Sequence, residues 1–230
     1  MNKRMLSVIC FILKRMEIPT EAMAQLSPET LAALMEFYQD QNKAKEKEED
    51  GFDKIEEDWE LSQFWYNKET ADNIISLIGN YAKKNKMENI ALLCAPSLYR
   101  AFLRNKDKLN NLNFSLFEFD KRFAIFGDDY NFYDLNKPLD IDPKHHKRYD
   151  IIVADPPFLN KETIKLVAES MRLLGKEGSM KIFITGLQVQ DCVKEEFPEL
   201  SLQTNIKIEH DKQRLQNPFG FFCSVDLEKE

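Results

Sequence analysis

The chain has 230 residues, 43% of them hydrophobic and 31% charged, with a formal net charge of −7. That suffices for one well-buried core and a small appendage, and the acidic balance argues against a large sequence-independent affinity for phosphate backbones, which needs clustered Lys and Arg. Seven glycines and nine prolines are dispersed without tracts or repeats, which excludes extended low-complexity disorder and solenoid architectures.

Cys10, Cys94, Cys192 and Cys223 lie far apart with no C-x-x-C pair, which fits a reducing compartment and predicts a cytoplasmic protein. His145 and His146 are adjacent and His210 stands alone, so ligand spacing for a metal is absent and none is expected. The charge suits a basic protein surface as partner, with neither nucleic acid nor membrane favoured.

Taken from the N-terminus, Lys3-Arg4 precedes an apolar run over residues 5–13 that Lys14-Arg15 closes. The run is too short to span a bilayer and no small-x-small cleavage site follows promptly, so it reads as a non-targeting extension. Ser27-Pro28-Glu29-Thr30 then opens a helix over about residues 28–42, with Ser27 as N-cap and Pro28 in the first turn. Residues 43–58 hold eight acids and four lysines, the mark of a solvated helix end or linker.

From residue 59 the texture changes to short apolar runs separated by helical patterns. Strands are predicted at 90–94, 114–119, 150–154, 181–185, 204–208 and 221–225, with helices over 69–81 and 162–174. Strands alternating with helices imply a doubly wound, mostly parallel α/β sheet covered on both faces. Ligands bind such sheets beyond the carboxyl ends of the strands, so the residues just after each strand are the candidates.

Asp155-Pro156-Pro157-Phe158 directly follows the strand at 150–154. Two successive prolines remove two N–H donors and stiffen the chain, leaving fixed carbonyls free to accept. An amine can attack a methyl sulfonium only with its lone pair aimed at the methyl carbon. Asp155 and the Pro156 carbonyl, each accepting one amine hydrogen, enforce that aim, while Phe158 packs against the amine-bearing group or shields it. The plainer alternative is a turn that ends a strand. Glu118-Phe119-Asp120 ends another strand with acids able to accept from ribose hydroxyls. Asp134 can accept from an adenine amino group or equally cap an Asx-type turn into Asn136 and Pro138. The strand at 90–94 runs into Ala95-Pro96-Ser97 with no G-x-G-x-x-G, which disfavours dinucleotides more than a phosphate-free donor.

These residues resemble class I methyltransferases of the Asp-Pro-Pro-aromatic type, and more closely the eukaryotic elongation factor 1-alpha lysine methyltransferases, a family once labelled N6-adenine-specific. The matching stretches are 25–34 with Glu36-Phe37-Tyr38, 62–66 with Thr70-Ala71, 95–99, 118–123, Phe126-Gly127 with Phe132-Tyr133-Asp134, and 153–158. His210, Arg214, Leu215, Asn217 and Phe219 resemble a further family segment. The resemblance implies a seven-stranded, Rossmann-like methyltransferase sheet with an N-terminal helical extension, S-adenosylmethionine as donor, and a lysine amine of the elongation factor as acceptor. It implies that Trp65, Tyr66 and Thr70 cover the methionine end of the donor and that a loop at Ala95, Pro96 and Ser97 approaches from beneath. Glu118, with Asp120 second, would hold the ribose, and Asp134 would face the adenine. It covers about residues 24–226. Residues 1–23 are therefore read as an extension whose end, at Met23, is an alternative start; 24–58 as helix and linker; and 59–230 as the methyltransferase domain. The rival readings are an enzyme acting on adenine in DNA or RNA, which calls for a base-extruding recognition surface, and a catalytically silent binding module.

Overall fold

The computed structural model describes residues 55–58, 60–211 and 217–227, within a compact unit spanning Gly51–Glu230. The predicted extension, the helix at 28–42 and most of the charged stretch lie outside the described residues.

Helix α1 (Lys68–Lys84) starts where Asn67 accepts the Thr70 N–H through Oδ1 at 2.8 Å, and it buries Ala71, Ile74, Ile75, Ile78 and Ala82, the i, i+3, i+4 stripe of an amphipathic helix. Strand β1 (Asn89–Leu93) follows and leads directly into α2 (Pro96–Arg104), with Pro96 at the first helical position. Strands β2 (Asn113–Glu118) and β3 (Tyr130–Phe132) flank the 3-10 segment Lys121–Asp129. Strand β4 (Tyr149–Ala154) feeds α3 (Lys161–Leu174), capped by Asn160 Oδ1 on the Thr163 N–H at 2.9 Å. Strand β5 (Gly175–Gly186), α4 (Gln190–Glu196), β6 (Ser201–Leu202) and β7 (Phe219–Cys223) complete the chain.

The seven strands order as β3-β2-β1-β4-β5-β7-β6. β1 to β5 are parallel, while β7 runs antiparallel to both β5 and β6. Side chains alternate between two apolar layers: Ile90, Leu92, Ile151 and Val153 join α1 and α2 on one face, and Ala91, Leu93, Ile152 and Ala154 join α3 and α4 on the other. Burial on both faces is why these strands read as unbroken apolar runs. Each fully buried Ile or Leu contributes roughly 1.5–3 kcal/mol.

Three expectations are corrected. Residues 204–208 are not a strand: after β6, Gln203 donates its N–H to the Phe221 carbonyl and the chain turns away, so the alternating Ile206 and Ile208 pack against the α1 face instead of pairing. The strand at 181–185 extends over Gly175–Gly186, with a register break against β4 near Gly178, whose φ of +74° suits glycine. Ala95-Pro96-Ser97 is less a loop than the cap and first turn of α2.

Asn67 also ties the two ends of the domain, because its Nδ2 donates to Glu209 Oε2 at 3.1 Å. Asn67→Ala is expected to cost about 1 kcal/mol, lowering Tm by about 2–4 °C for a domain of this size. Thermal unfolding checks this, and an unchanged Tm would show that the cap carries no weight.

Candidate functional site

The sheet reverses direction of growth between β1 and β4, and a pocket opens beyond their carboxyl ends. The Asp155 N–H continues the ladder by donating to the Leu93 carbonyl at 3.0 Å, and the Cys94 N–H donates to the Phe117 carbonyl at 2.9 Å. These bonds place Asp155, Cys94 and Glu118 side by side on the pocket floor. Cys94 holds a left-handed φ of 54°, which turns the chain from β1 into α2 without glycine.

The pocket encloses a cavity of about 470 Å³, within the usual size range for small-molecule sites. The structure brings Trp65, Pro96, Ser97, Glu118, Asp134, Asp155, Pro156, Pro157 and Phe158 to its walls. Four predicted residues stand elsewhere. Ala95 is buried behind the start of α2. Thr70 is buried, and its Oγ1 accepts the Glu209 N–H at 3.3 Å. Tyr66 is buried behind the wall. Asp120 is turned away by Arg122, which donates Nη2 to its Oδ2 at 2.6 Å, and by Gln63, whose Nε2 donates to the same oxygen at 3.0 Å. Burial works to raise the Asp120 pKa, but these donors prevail and hold it below the ordinary value.

Glu118 is 7% exposed, and its Oε1 accepts the N–H groups of Phe119 at 2.9 Å and Asp120 at 3.2 Å. That anchoring fixes the carboxylate while Oε2 makes no hydrogen bond among the described residues. Burial pushes its pKa up to about 7, against the pull of the two backbone donors. Asp155 is pushed up to about 8, first by burial and then by the neighbouring Glu118 charge, with the Tyr66 hydroxyl pulling the other way. The Cys94 thiol between them is raised by burial and by both acids, so it stays protonated. Asp134 accepts the Asn136 N–H at 2.9 Å, so the Asx-type turn is present, and the same residue also faces the pocket.

Several wall residues carried no local signal. Gln63 bridges Asp58, Asp120 and Arg122 by hydrogen bonds. Tyr133 is held by Ser170 Oγ at 2.8 Å, and Leu159, Asn160 and Leu166 come from the start of α3. His210 and Phe219 lie in the wall with ring centroids 4.9 Å apart. Only the family resemblance pointed to Gln63, Tyr133, His210 and Phe219, while Arg214 and Leu215 of the last segment lie outside the described residues.

The charged side chains among the described lining residues are Glu60, Glu118, Asp134, Asp155 and Glu162, with no Lys or Arg, and burial lowers His210 to about 4, keeping it neutral. A buried acidic pair with both pKa values raised is a site that favours a cation. S-adenosylmethionine fits this cradle: its sulfonium and ammonium charges suit the acids, Glu118 Oε2 remains for a ribose hydroxyl, and the start of α2 favours a carboxylate.

A seven-stranded sheet of this order, with β7 antiparallel and acids beyond β2 and β4, defines a class I S-adenosylmethionine-dependent methyltransferase. The chain belongs to the family described as probable N6-adenine methyltransferase, which matches residues 57–227. It is 37% identical over 200 residues to a Dictyostelium discoideum protein-lysine N-methyltransferase, covering 86% of this chain and 89% of that one. It is 41% identical over 160 residues to the Homo sapiens EEF1A lysine methyltransferase 1, covering 65% and 70%. A Drosophila melanogaster protein-lysine N-methyltransferase is 35% identical over 220 residues, covering 89% and 95%.

Proposed function

We propose that this protein transfers a methyl group to a lysine side-chain amine of translation elongation factor 1-alpha, in the cytoplasm. The observation that carries the lysine reading is that every charged side chain among the described lining residues of the pocket is acidic. A lysine ammonium is drawn toward the exposed Glu60 and Glu162 and favours the ionised form of Asp155 beside it, whereas a phosphate backbone brought to the same mouth is repelled. The elongation factor is supported by the names of the human and chicken relatives, and the cytoplasm by the free thiols at Cys94, Cys192 and Cys223.

Bound S-adenosylmethionine supplies an electrophilic methyl group on a sulfonium. The chain's own residues have two tasks, removing a proton and aiming a lone pair. Lysine enters with an ordinary pKa of about 10.4 and must lose a proton before it reacts. Asp155, raised to about 8, is a far closer match to that donor than an ordinary carboxylate. Once the amine is neutral, its proton resides on one Asp155 oxygen, and the other Asp155 oxygen and the Pro156 carbonyl accept the amine hydrogens and leave the lone pair pointing at the methyl carbon. Phe158, 47% exposed at the mouth, is free to lie along the incoming lysine stem. No covalent enzyme intermediate is needed.

The test is to incubate the protein and labelled donor separately with purified elongation factor 1-alpha and with adenine-containing DNA or RNA. Label is expected on a protein band of the elongation factor's size, resistant to nuclease, and weaker as salt is raised because screening reduces the attraction. Label in nucleic acid, with none on protein lysine, would reject the lysine reading. Absence of donor binding would favour a silent module.

A further inference from the structure

The strap at 60–66, just before α1, contributes residues 60–65 to the pocket wall. Its far end is tied down, because Tyr66 bridges His210 and donates its N–H to Ser97 Oγ at 3.2 Å. Its near end is a tight turn. The Leu61 and Gln63 N–H groups both donate to the Asp58 carbonyl, at 3.2 and 3.0 Å, and the Glu60 N–H donates to Asp58 Oδ1 at 3.0 Å. Within that turn Ser62 holds a left-handed φ of 54°, which is costly for a residue other than glycine and persists only where surrounding bonds over-determine it.

Those bonds centre on Asp120, which is 6% exposed. Its Oδ2 accepts from Gln63 Nε2 at 3.0 Å and from Arg122 Nε and Nη2 at 2.8 and 2.6 Å, and its Oδ1 accepts the Arg122 N–H at 2.9 Å. Arg122 Nη2 also donates to Gln63 Oε1 at 3.2 Å. The Gln63 amide is therefore gripped at its nitrogen by Asp120 and at its oxygen by Arg122, a closed circuit of charge-assisted bonds that fixes the side chain better than either bond alone. The further Asp58–Arg122 pair, at 3.9 Å and open to solvent at both partners, adds little. Asp120 has a second attachment, since its own N–H donates to Glu118 Oε1 at 3.2 Å. One residue thus grips the strap with its side chain and steadies Glu118 on the pocket floor with its backbone.

We infer that Arg122 is a positioning residue for the donor site: through Asp120 and Gln63 it latches the 60–66 strap in place as a wall around S-adenosylmethionine. Arg122 is not among the lining residues, so it acts only through its partners. Asp120 becomes the anchor of the latch, in place of the ribose contact that the family resemblance implies for it. Arginine suits the task because its rigid fork brings two nitrogens to Asp120 and one of them onward to Gln63, which a lysine ammonium on a flexible stem does not reproduce. The inference concerns the donor and is independent of which acceptor is methylated.

The experiment compares wild type, Arg122→Met, Gln63→Leu and the double variant. Donor affinity is measured by calorimetry with no acceptor present, and amide hydrogen exchange is followed in the ligand-free protein. Each single variant is expected to weaken donor binding roughly tenfold, the scale of one charge-assisted bond. The double variant should be within about twofold of the weaker single, because both changes open the same circuit. With whichever acceptor wild type labels, donor KM rises while kcat stays within about threefold. Exchange quickens at the Leu61 and Gln63 amides of Arg122→Met and is unchanged in β1 and β4. A merely structural role would instead quicken exchange across the sheet and lower kcat. Donor affinity in Arg122→Met within about twofold of wild type overturns the proposal. So do fully additive losses in the double variant, which would mean that Gln63 meets the donor without help from Arg122, and so does faster exchange throughout the sheet. If Arg122→Met fails to fold, Arg122→Lys takes its place in the same comparison, keeping the charge without the fork, and the same outcomes decide.

Discussion

Asp155→Ala is expected to reduce methyl transfer at least about a hundredfold, because misaligned reactants lose the advantage of a near-attack geometry, while donor affinity stays within about tenfold. The residue is held by its own N–H to the Leu93 carbonyl, so its backbone is fixed and the effect falls on the side chain. Without the carboxylate an arriving ammonium has no acceptor for its proton, and the neutral amine is gripped by Pro156 alone. The donor keeps Glu118 and the start of α2, and a tenfold change is only about 1.4 kcal/mol, the scale of one peripheral interaction. Single-turnover labelling with calorimetry on the same preparation checks both halves. Near-normal turnover would refute the amine clamp.

Glu118→Gln is expected to act in opposite directions on binding and on stability. An ionised carboxylate accepting from hydroxyls is worth about 1.5–3 kcal/mol more than none, so donor affinity should fall roughly ten- to a hundredfold. The ligand-free protein should become more stable at pH 8. In the folded chain Glu118 titrates at about 7 against an ordinary 4.5, so the folded state holds the proton more tightly. That stability is fully present below about 4.5 and is lost as pH rises toward about 7, after which it stays lost. Gln cannot ionise and avoids the loss, a gain of about 1–3 kcal/mol at pH 8. Thermal unfolding of the ligand-free protein at pH 5 and pH 8 reads this directly: wild type should lose more stability between the two than the variant. Equal pH dependence would mean that Glu118 is ionised freely in the resting site. Asp155, raised to about 8, adds a loss of the same sign in both proteins.

Local patterns were sufficient for the parts of the molecule whose physics is local. Apolar runs at β1, β2 and β4 announced strands buried on both faces, and Asp155 and Glu118 announced themselves by following one such strand and ending another. β3 was missed because three residues, Tyr130–Phe132, are too few for periodicity to register and Asn131 breaks their apolar character. Residues 204–208 misled because Ile206 and Ile208 alternate as a strand would, yet their burial comes from the α1 face and not from a neighbouring strand.

What the chain alone determined was therefore the sheet-and-helix alternation, the acids at strand ends and the family to which the motif segments belong. Tertiary structure decided which of those acids share the cavity. Glu118 and Asp155 converge because β2, β1 and β4 are adjacent in the sheet, while Asp120, two residues from Glu118, is drawn out by Gln63, 57 positions earlier. It also decided where Tyr66 sits, since its N–H donates to Ser97, 31 residues away, and it bridges His210, whose neighbour Glu209 is bonded to Thr70 across 139 residues. Such bonds are specified by where the chain ends up, so composition, spacing and periodicity around either partner carry no trace of them.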